Sequence, residues 1–294
     1  MDGKGLDELA AKAVQRDVCR QPGLSSLWSC YGLCEAPHDG KVEAATKFVR
    51  STGEARMAAK VLFQYQSTSG ETFAVSPAII ADIEALIDAV RTEIANQRAA
   101  GKFIGYMSVP VSSKSGGDFQ TNTDMAAHVA ARIVTVFGPK LWILNPAAYN
   151  LPKTAAGGDY MAVWSDVLAG ADGAGLDFDM AYFVGPNDVW EFFGVGGNDR
   201  LGTIEAWLTA KAGASVAYKA INDDPVFRQK FIRYYGLRGS TIYSKGAHDE
   251  WNIVAGLNAK RAIGEDIAVY FDGQPIEPGD YQDMVDVGYR TILH

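Results

Sequence analysis

The segment Ser244–Glu250 contains residue types that could do chemistry, because it places a carboxylate near the predicted start of a helix. Gly246-Ala-His-Asp-Glu250 opens this helix, so backbone N–H groups and the positive end of the helix dipole should lie beside Glu250. These features favour the ionised carboxylate, which is the form that a nucleophile requires. The alternative is that Asp249 and Glu250 are only good first-turn residues, as acidic side chains commonly are. Spacing alone leaves both interpretations open.

Three other acids and one tyrosine could join Glu250. Asp166 is predicted on the helix before the third strand, Asp179 starts that strand and Asp188 follows it. Acids at helix ends and in loops are usually solvated, so a structural role stays open for each of them. Tyr106 lies in an otherwise apolar strand, where a buried tyrosine more often packs and forms local hydrogen bonds than does chemistry.

A parallel sheet must position these residues, because the sequence alternates strands and helices from Lys102 onward. Short apolar runs predict buried strands, and they are Phe103–Val109, Leu141–Leu144, Met180–Val184 and Ile267–Phe271. Helical patterns lie between them at about 121–137, 160–168 and 247–262. Regular alternation predicts an α/β fold, a three-layer sandwich in which helices cover both faces of a parallel sheet.

In such sheets, ligands bind in the crevice outside the carboxyl ends of the strands. This rule selects the loops 108–113, 145–150 and 185–188, together with the helix start at Gly246. The loop Ser112–Gly117 resembles a generic phosphate cradle, with hydroxyls, one lysine and flexible glycines, although it is not a Walker A motif. The residues that we predict to bind substrate at this rim are Ser108, Ser112, Ser113, Lys114, Asn145, Asp188, Gly246 and His248.

Two regions of the chain lie outside this alternation. Over residues 1–100 the sequence predicts an α+β extension. It comprises a helix over Leu6–Val18, a hairpin within 61–75 and a helix from Ser76-Pro77 to Ala99. We predict that it packs on an α/β domain formed by 101–294. The segment of about 187–243 is predicted to be a helical insertion, and it is rich in aromatic side chains. Those side chains could form the core of the added helices or a lid that stacks a base.

Composition excludes several classes of function. The 294 residues are 48% hydrophobic and 21% charged, as in ordinary globular proteins, and the net charge of −8 argues against general nucleic-acid binding. No run approaches the roughly 20 apolar residues of a membrane span, and the N-terminus lacks a secretory pattern. Cys30 and Cys34 have a spacing seen in some metal sites, but a zinc site needs four ligands and His38 is the only plausible neighbour. The four histidines lack metal-ligand spacing, so we predict reduced thiols and no metal. We therefore expect a cytoplasmic protein without a metal or a cofactor.

The order of these segments resembles the nucleoside 2-deoxyribosyltransferase-like superfamily, which includes nucleotide N-glycosidases. The resemblance covers roughly Lys102 to Phe271. It is carried by Tyr106 with Pro110, Asn145-Pro146, Trp164-Ser-Asp166 with Asp179–Phe183, and Ser244-Lys-Gly-Ala-x-x-Glu250 before the last strand. The chain departs from the compact members of the superfamily in its first hundred residues and in the long segment between Gly185 and Lys245.

The resemblance implies a flavodoxin-like α/β sandwich and a reaction at a sugar. Glu250 would attack C1′ of a nucleoside or nucleotide, Asp166 would contact the base or the sugar, and Tyr106 would position Glu250. Departure of the base leaves oxocarbenium-like charge, which a close carboxylate can stabilise or trap, as in retaining glycosidases. Members of the superfamily also assemble as homo-oligomers that share site residues, so the resemblance implies such an assembly here.

Two alternatives to this enzyme remain open. One is a non-catalytic protein that binds or senses a nucleotide on the same fold. The other treats the N-terminal region as a partner-binding module, because Trp28, Cys30 and Cys34 lie close together there. An enzyme requires Glu250 to lie within reach of Tyr106 and of an acid such as Asp166, so their positions distinguish the enzyme from the binding protein.

Overall fold

The computed structural model describes residues 62–113, 117–262, 264–278, 280 and 288–291. Contacts divide the chain into two units, Met1–Val61 and Leu62–His294, and the described residues all belong to the second. The predicted helix Leu6–Val18, the three cysteines and Lys114 lie outside the described residues.

A β-hairpin begins the described part of the chain. Strands β1 (Phe63–Gln66) and β2 (Thr72–Val75) pair antiparallel, and the turn between them closes with a hydrogen bond of 2.9 Å from the Ser67 N–H to the Glu71 carbonyl. A 3-10 turn with Pro77 at its start then leads into helix α1 (Ile80–Ala99). Proline suits the first helical position because its missing N–H would have no helical partner there. The predicted hairpin and helix are confirmed.

Five strands form the main sheet: β3 (Phe103–Ser108), β4 (Leu141–Leu144), β5 (Met180–Phe183), β6 (Ala268–Phe271) and β7 (Gln274–Ile276). Their order is β4-β3-β5-β6-β7, with the first four parallel and β7 antiparallel to β6. The chain leaves β3 for one neighbour, β4, and returns on the other side as β5. The strand order therefore reverses at β3, and this switch point is where sheets of this kind open a ligand crevice.

The remaining helices are α2 (Phe119–Phe137), α3 (Gly157–Ala169), α4 (Pro186–Phe192), α5 (Arg200–Ala212), α6 (Val216–Asp223), α7 (Pro225–Leu237) and α8 (Lys245–Asn258). Local capping explains several of the starts. Asp118 caps α2 by accepting from the Thr121 N–H at 2.8 Å, and Ser244 caps α8 by accepting from the Ala247 N–H at 3.3 Å. Such caps satisfy backbone donors that the helix itself leaves unpaired.

Helices cover both faces of the sheet. On one face α1, α3 and α8 pack against Tyr106 and Phe183, and on the other α2 and the inserted helices pack against Met107 and Tyr182. Successive residues of a strand point to opposite faces, which accounts for this division. The protein is thus a mixed α/β fold, with a mostly parallel sheet flanked by helices, consistent with a Rossmann-like arrangement.

The aromatic residues of the inserted helices form a packed core. Phe193, Phe231 and Tyr235 are buried, and Trp207 stacks on Phe231 with ring centroids 6.1 Å apart. Phe193 also contacts Trp207 and Tyr235 edge-on or at a tilt. These rings bury apolar surface of α4, α5 and α7. They therefore form the core of the inserted helices and not a lid.

Within the described residues, no helix is long and apolar enough to span a membrane.

Candidate functional site

Glu250 lies inside the protein, against the carboxyl-terminal half of β3. Its side chain is only 6% exposed, although it sits near the beginning of α8. Because α8 begins at Lys245, Glu250 falls in its second turn rather than its first. The favourable effect of a helix start fades beyond the first turn. The predicted help from backbone N–H groups is therefore absent at the Glu250 carboxylate, and other donors satisfy it.

Two hydroxyl groups of β3 hold the two oxygens of this carboxylate. The Tyr106 hydroxyl donates to Oε1 at 2.7 Å, and the Ser108 hydroxyl donates to Oε2. Tyr106 and Ser108 are two residues apart, so the strand presents them on the same face. Both are fully buried. We call Tyr106, Ser108 and Glu250 the Glu250 site.

Burial dominates the electrostatics of this site. It raises the pKa of Glu250 from its ordinary value of 4.5 to about 7, against the opposing effect of the hydrogen bonds from Ser108 and Tyr106, and the neighbouring Asp249 adds a smaller rise. Within the described part of the chain, no lysine, arginine or histidine forms an ion pair with Glu250. The sequence predicted that the ionised form would be favoured, and this prediction is wrong. Desolvation costs a charged carboxylate more than two hydroxyl donors return.

This pKa makes Glu250 chemically versatile at neutral pH, because the protonated and ionised forms are both populated. The ionised form could act as a nucleophile or stabilise a cation, and the protonated form could donate a proton. Burial and the Glu250 charge raise the pKa of Tyr106 well above its usual range, so Tyr106 stays protonated and remains a donor. Its ring is fixed by edge-on contact with Phe178, at a centroid distance of 6.0 Å.

Asp249, next to Glu250, has a different task. Its buried carboxylate accepts from the backbone N–H groups of Gly288, at 2.9 Å, and of Tyr289. A few residues on, the Thr291 N–H donates to the Thr72 carbonyl of β2 at 2.6 Å. The segment 288–291 thus joins the beginning of α8 to the hairpin. Asp249 is therefore a structural tie, and like Glu250 it lies beyond the first turn of α8.

The structure does not bring Asp166 to the Glu250 site. The Asp166 carboxylate accepts hydrogen bonds from the Tyr65 hydroxyl and from both the N–H and the hydroxyl of Thr68, all in the hairpin. Asp166 lies in the last turns of α3, and a helix that crosses back between parallel strands ends beside their amino ends. Its side chain therefore faces away from the rim at which β3 ends. The prediction that Asp166 is a second acid beside Glu250 is wrong.

Asp188 and Asn145 lie at the carboxyl ends of their strands as predicted, but their side chains bond to the protein itself. Asp188 is buried and accepts from the Gly185 N–H at 2.9 Å, from the Tyr182 hydroxyl at 2.8 Å and from Arg132. Burial raises its pKa to about 6. Asn145 accepts from the Ala147 N–H at 3.0 Å and so caps a short turn. Both contacts shape the rim.

The other predicted binding residues occupy two loops. Ser112 and Ser113 are exposed after β3, and Lys114 lies outside the described residues. In the first turn of α8, the His248 ring nitrogen Nε2 lies 2.8 Å from the Ile242 carbonyl, so the ring secures the preceding turn. Gly246 packs near Met161 of α3, where an added Cβ would lie 3.3 Å from its sulfur. No described contact assigns a ligand to these residues.

Sequence reasoning missed one role within the site. Ser108 was predicted to bind substrate, whereas its hydroxyl is buried and bonded to Glu250. Asp179, which the sequence offered as another acid that could join Glu250, lies instead at the amino end of the sheet. There it accepts from the Ile104 N–H at 2.6 Å and pairs with Arg98 at 2.8 Å. The two-residue spacing of Tyr106 and Ser108 was the available signal, because it predicts a shared face once one of the two is placed.

No protein-family model, curated protein or solved structure matches this chain. The site must therefore be interpreted from its own chemistry. No group of three or more histidine, cysteine, aspartate or glutamate side chains in the described residues could hold a metal ion. At the switch point of the sheet, the described residues offer a buried carboxylate of adjustable charge, Glu250, fixed by two neutral donors.

Proposed function

We propose that this protein cleaves or transfers the N-glycosidic bond of a nucleoside, a nucleotide or a related glycoside, with Glu250 as the reacting carboxylate. One observation carries the proposal: both oxygens of Glu250 are held by Tyr106 and Ser108, at the strand where the sheet order reverses. The parallel strands are ordered second-first-third-fourth along the chain, which supports a flavodoxin-like arrangement and its crevice at this strand.

The reaction needs a carboxylate that is close and fixed. As the bond between C1′ and the base nitrogen breaks, the base leaves with the bonding electrons and positive charge develops on the sugar. An oxygen of Glu250 then stabilises this charge or bonds to C1′, and water or a second base later takes the sugar. Tyr106 and Ser108 hold the carboxylate in place, so little reorganisation is needed as the charge appears.

The resemblance to the nucleoside 2-deoxyribosyltransferase-like superfamily supports the same substrate class. Tyr106 and Glu250, which the resemblance assigns as positioning residue and nucleophile, share a hydrogen bond of 2.7 Å. Asp166 does not fit the role that the resemblance gives it, because its carboxylate bonds to the hairpin. The proton for the leaving base must then come from water or from another group.

Release of free base tests the proposal. The full chain is incubated with a panel of nucleosides, nucleotides and NAD, and the free base is measured by chromatography. We expect release with at least one compound, and its loss in Glu250→Gln and Glu250→Ala. Glu265→Gln is the matched control, because Glu265 is exposed and its substitution removes the same charge. Absence of release from every compound, or equal release by Glu250→Gln, would refute the proposal.

The second candidate is a protein that binds a nucleotide without cleaving it. The position of Asp166 favours it, because no second acid that the sequence predicted lies beside Glu250. A ligand that binds only the folded state raises the melting temperature. Stabilisation by a nucleotide that is recovered intact would support this candidate, whereas stabilisation accompanied by free base would support the enzyme.

A further inference from the structure

The loop that follows β3 lies beside the Glu250 site. It begins at Val109, directly after Ser108, whose hydroxyl donates to Glu250. It ends at Asp118, which caps α2. Because the sheet order reverses at β3, this loop lies at the crevice that sheets of this kind open for a ligand. We call residues 109–113 and 117–118, the parts of it that the structure describes, the β3–α2 loop.

Tyr235 of α7 holds the end of the β3–α2 loop. Its hydroxyl accepts from the Asp118 N–H at 3.0 Å and donates to Oδ1 of Asn122 at 2.7 Å. The Asp118 carbonyl lies 3.1 Å from the same hydroxyl. Tyr235 is buried, and this burial raises the pKa of its hydroxyl well above the usual range, so the hydroxyl keeps its proton and remains a donor. A hydroxyl can donate once and accept twice, so these contacts use most of its capacity.

Asn122 of α2 extends this hold to the beginning of the loop. Its Oδ1 accepts from Tyr235, and its Nδ2 donates to the Val111 carbonyl at 3.0 Å. Asn122 is fully buried. An amide that is bonded at both its oxygen and its nitrogen is fixed in orientation, and linked hydrogen bonds of this kind strengthen one another. The inserted helices therefore reach the loop at Asp118 directly and at Val111 through Asn122.

Tyr234, the neighbour of Tyr235, contacts the loop at Gly117. A Cβ added to Gly117 would lie 2.6 Å from Cε1 of the Tyr234 ring and 3.1 Å from Nδ2 of Asn122. Tyr234 is buried, and its ring packs edge-on against Tyr235 at a centroid distance of 4.9 Å. A close-packed interior resists the shift that would be needed to make room. The loop thus lies directly against α7, without space for a side chain between them.

Packing of the inserted helices accounts for the ring of Tyr235 but not for its hydroxyl. The ring contacts Phe193 and Phe231, at centroid distances of 4.9 Å and 4.6 Å, and a phenylalanine would fill the same space. The hydroxyl bonds to Asn122 and Asp118, which lie outside the inserted helices. It therefore contributes to the loop and not to the core of the insertion.

We propose that the inserted helices anchor the β3–α2 loop at the Glu250 site, and that Tyr235 is the positioning residue through which they set substrate binding. The anchor rests on the contacts of Tyr235 alone, whereas the effect on a substrate rests on the proposed function. The hydrogen bonds of Tyr235 go to the loop and to α2, while Tyr106 and Ser108 hold the reacting carboxylate. Loss of the anchor should therefore weaken binding and leave the chemical step unchanged, which raises KM at constant kcat.

Tyr235→Phe tests the anchor in the full chain, because it removes the hydroxyl and keeps the ring. Hydrogen–deuterium exchange of residues 109–113 is the first readout, since the bond from Asn122 to Val111 is the route by which Tyr235 acts on them. We expect this exchange to become about tenfold faster than in the wild-type protein. The second readout uses the compound of the nucleoside, nucleotide and NAD panel from which the full chain releases base. Its KM should rise about tenfold, and kcat should stay within about twofold.

Tyr218→Phe is the matched control. Tyr218 is also a buried tyrosine of the inserted helices, but its hydroxyl lies 3.2 Å from the Thr121 hydroxyl of α2 and so reaches the helix instead of the loop. This variant should leave KM and the exchange of 109–113 unchanged. The melting temperatures of both variants show whether each is folded.

Gly117→Ala loosens the anchor from the side of the loop and keeps every side chain of the inserted helices. Its added Cβ presses on Tyr234 and Asn122, so the exchange of 109–113 should speed up and KM should rise. Gly196→Ala, at a position where an added Cβ meets open space among the described residues, should do neither.

The outcomes separate the anchor from the proposed function. Unchanged exchange in both Tyr235→Phe and Gly117→Ala would overturn the anchor, whatever the activity. A fall in kcat at unchanged KM, or an equal rise of KM in Tyr218→Phe, would overturn the positioning role. Faster exchange in a protein that releases no base from any compound would refute the proposed enzyme, and with it the effect on KM, and would support the anchor.

Discussion

Replacing Glu250 by glutamine should change how the stability of the protein depends on pH. Burial raises the pKa of Glu250 from 4.5 to about 7 in the folded state, so the folded protein holds this proton more tightly than the unfolded chain does. Between these two pKa values folding takes up a proton, and the stability of the wild-type protein falls as pH rises. Glutamine has the same shape and no charge to desolvate, so the variant lacks this loss.

The expected size follows from the two pKa values. Their difference corresponds to about 3 kcal/mol once pH lies above both. For a folded unit of this length, about 1 kcal/mol changes the melting temperature by about 2–4 °C, so the effect should reach about 6–12 °C. The stability of Glu250→Gln minus that of the wild-type protein should therefore increase by this amount from pH 4 to pH 8.5. Most of the increase should fall between about pH 4.5 and pH 7.

Thermal unfolding followed by circular dichroism across this pH range measures the difference directly. Glu265→Gln provides the baseline, because it removes an exposed carboxylate by the same substitution. Groups that do not interact with Glu250 titrate equally in the wild-type protein and the variants, so they cancel. A difference that does not change with pH, or that grows towards acid pH, would show that Glu250 is not desolvated in the folded protein.

Three further predictions concern neighbouring residues. Ser108→Ala removes a donor to the Glu250 carboxylate, and such a hydrogen bond is worth about 1.5–3 kcal/mol when the acceptor is charged. Its loss should raise the pKa of Glu250 further, so the acid limb of the pH–rate profile should shift by about 1–2 pH units towards alkaline pH. If no activity is found, the pH dependence of stability should shift in the same direction. An unshifted limb would contradict the bond. Asp249→Ala removes the carboxylate that accepts from the Gly288 and Tyr289 N–H groups, and it should cost about 1–3 kcal/mol in chemical denaturation. It should also speed proteolysis within 288–291, and equal cleavage in the wild-type protein would contradict the tie. Asp166→Asn should lower the melting temperature by loosening the hairpin while base release per folded molecule stays within about twofold, which corresponds to less than about 0.5 kcal/mol; a loss of several hundredfold would restore Asp166 to the site.

The sheet could be predicted from sequence because its strands are short apolar runs bounded by turn residues. The predicted strands at 103–109, 141–144, 180–184 and 267–271 match β3 to β6 within one residue at each end. Strand β7 was missed, although Asp272-Gly273 before it carries the signal of a two-residue hairpin. Both residues have positive φ, 53° and 81°, as that turn requires. A strand of three residues is too short for alternation to reveal.

The site was harder to predict, because sequence patterns place residues on elements without giving the direction of a side chain. The rim rule placed Tyr106 and Glu250 near each other, and the structure joins them. The same rule could have excluded Asp166, since the end of α3 lies at the opposite edge of the sheet. The charge state of Glu250 could not be predicted at all. It depends on how completely the folded chain excludes water, which is a property of packing and not of spacing.

The hydrogen bond between Tyr106 and Glu250 joins residues that are 144 positions apart in the chain. Contacts between such distant residues are costly to form early in folding, because a long loop must close before they contribute. α8 can bury Glu250 only after β3 lies between its neighbours. We therefore expect Glu250 to keep an ordinary pKa in any intermediate in which α8 has not docked. If α8 docks after the rate-limiting step of folding, alkaline pH should mainly accelerate unfolding. The pKa of Glu250 would then report whether the final step of folding has taken place.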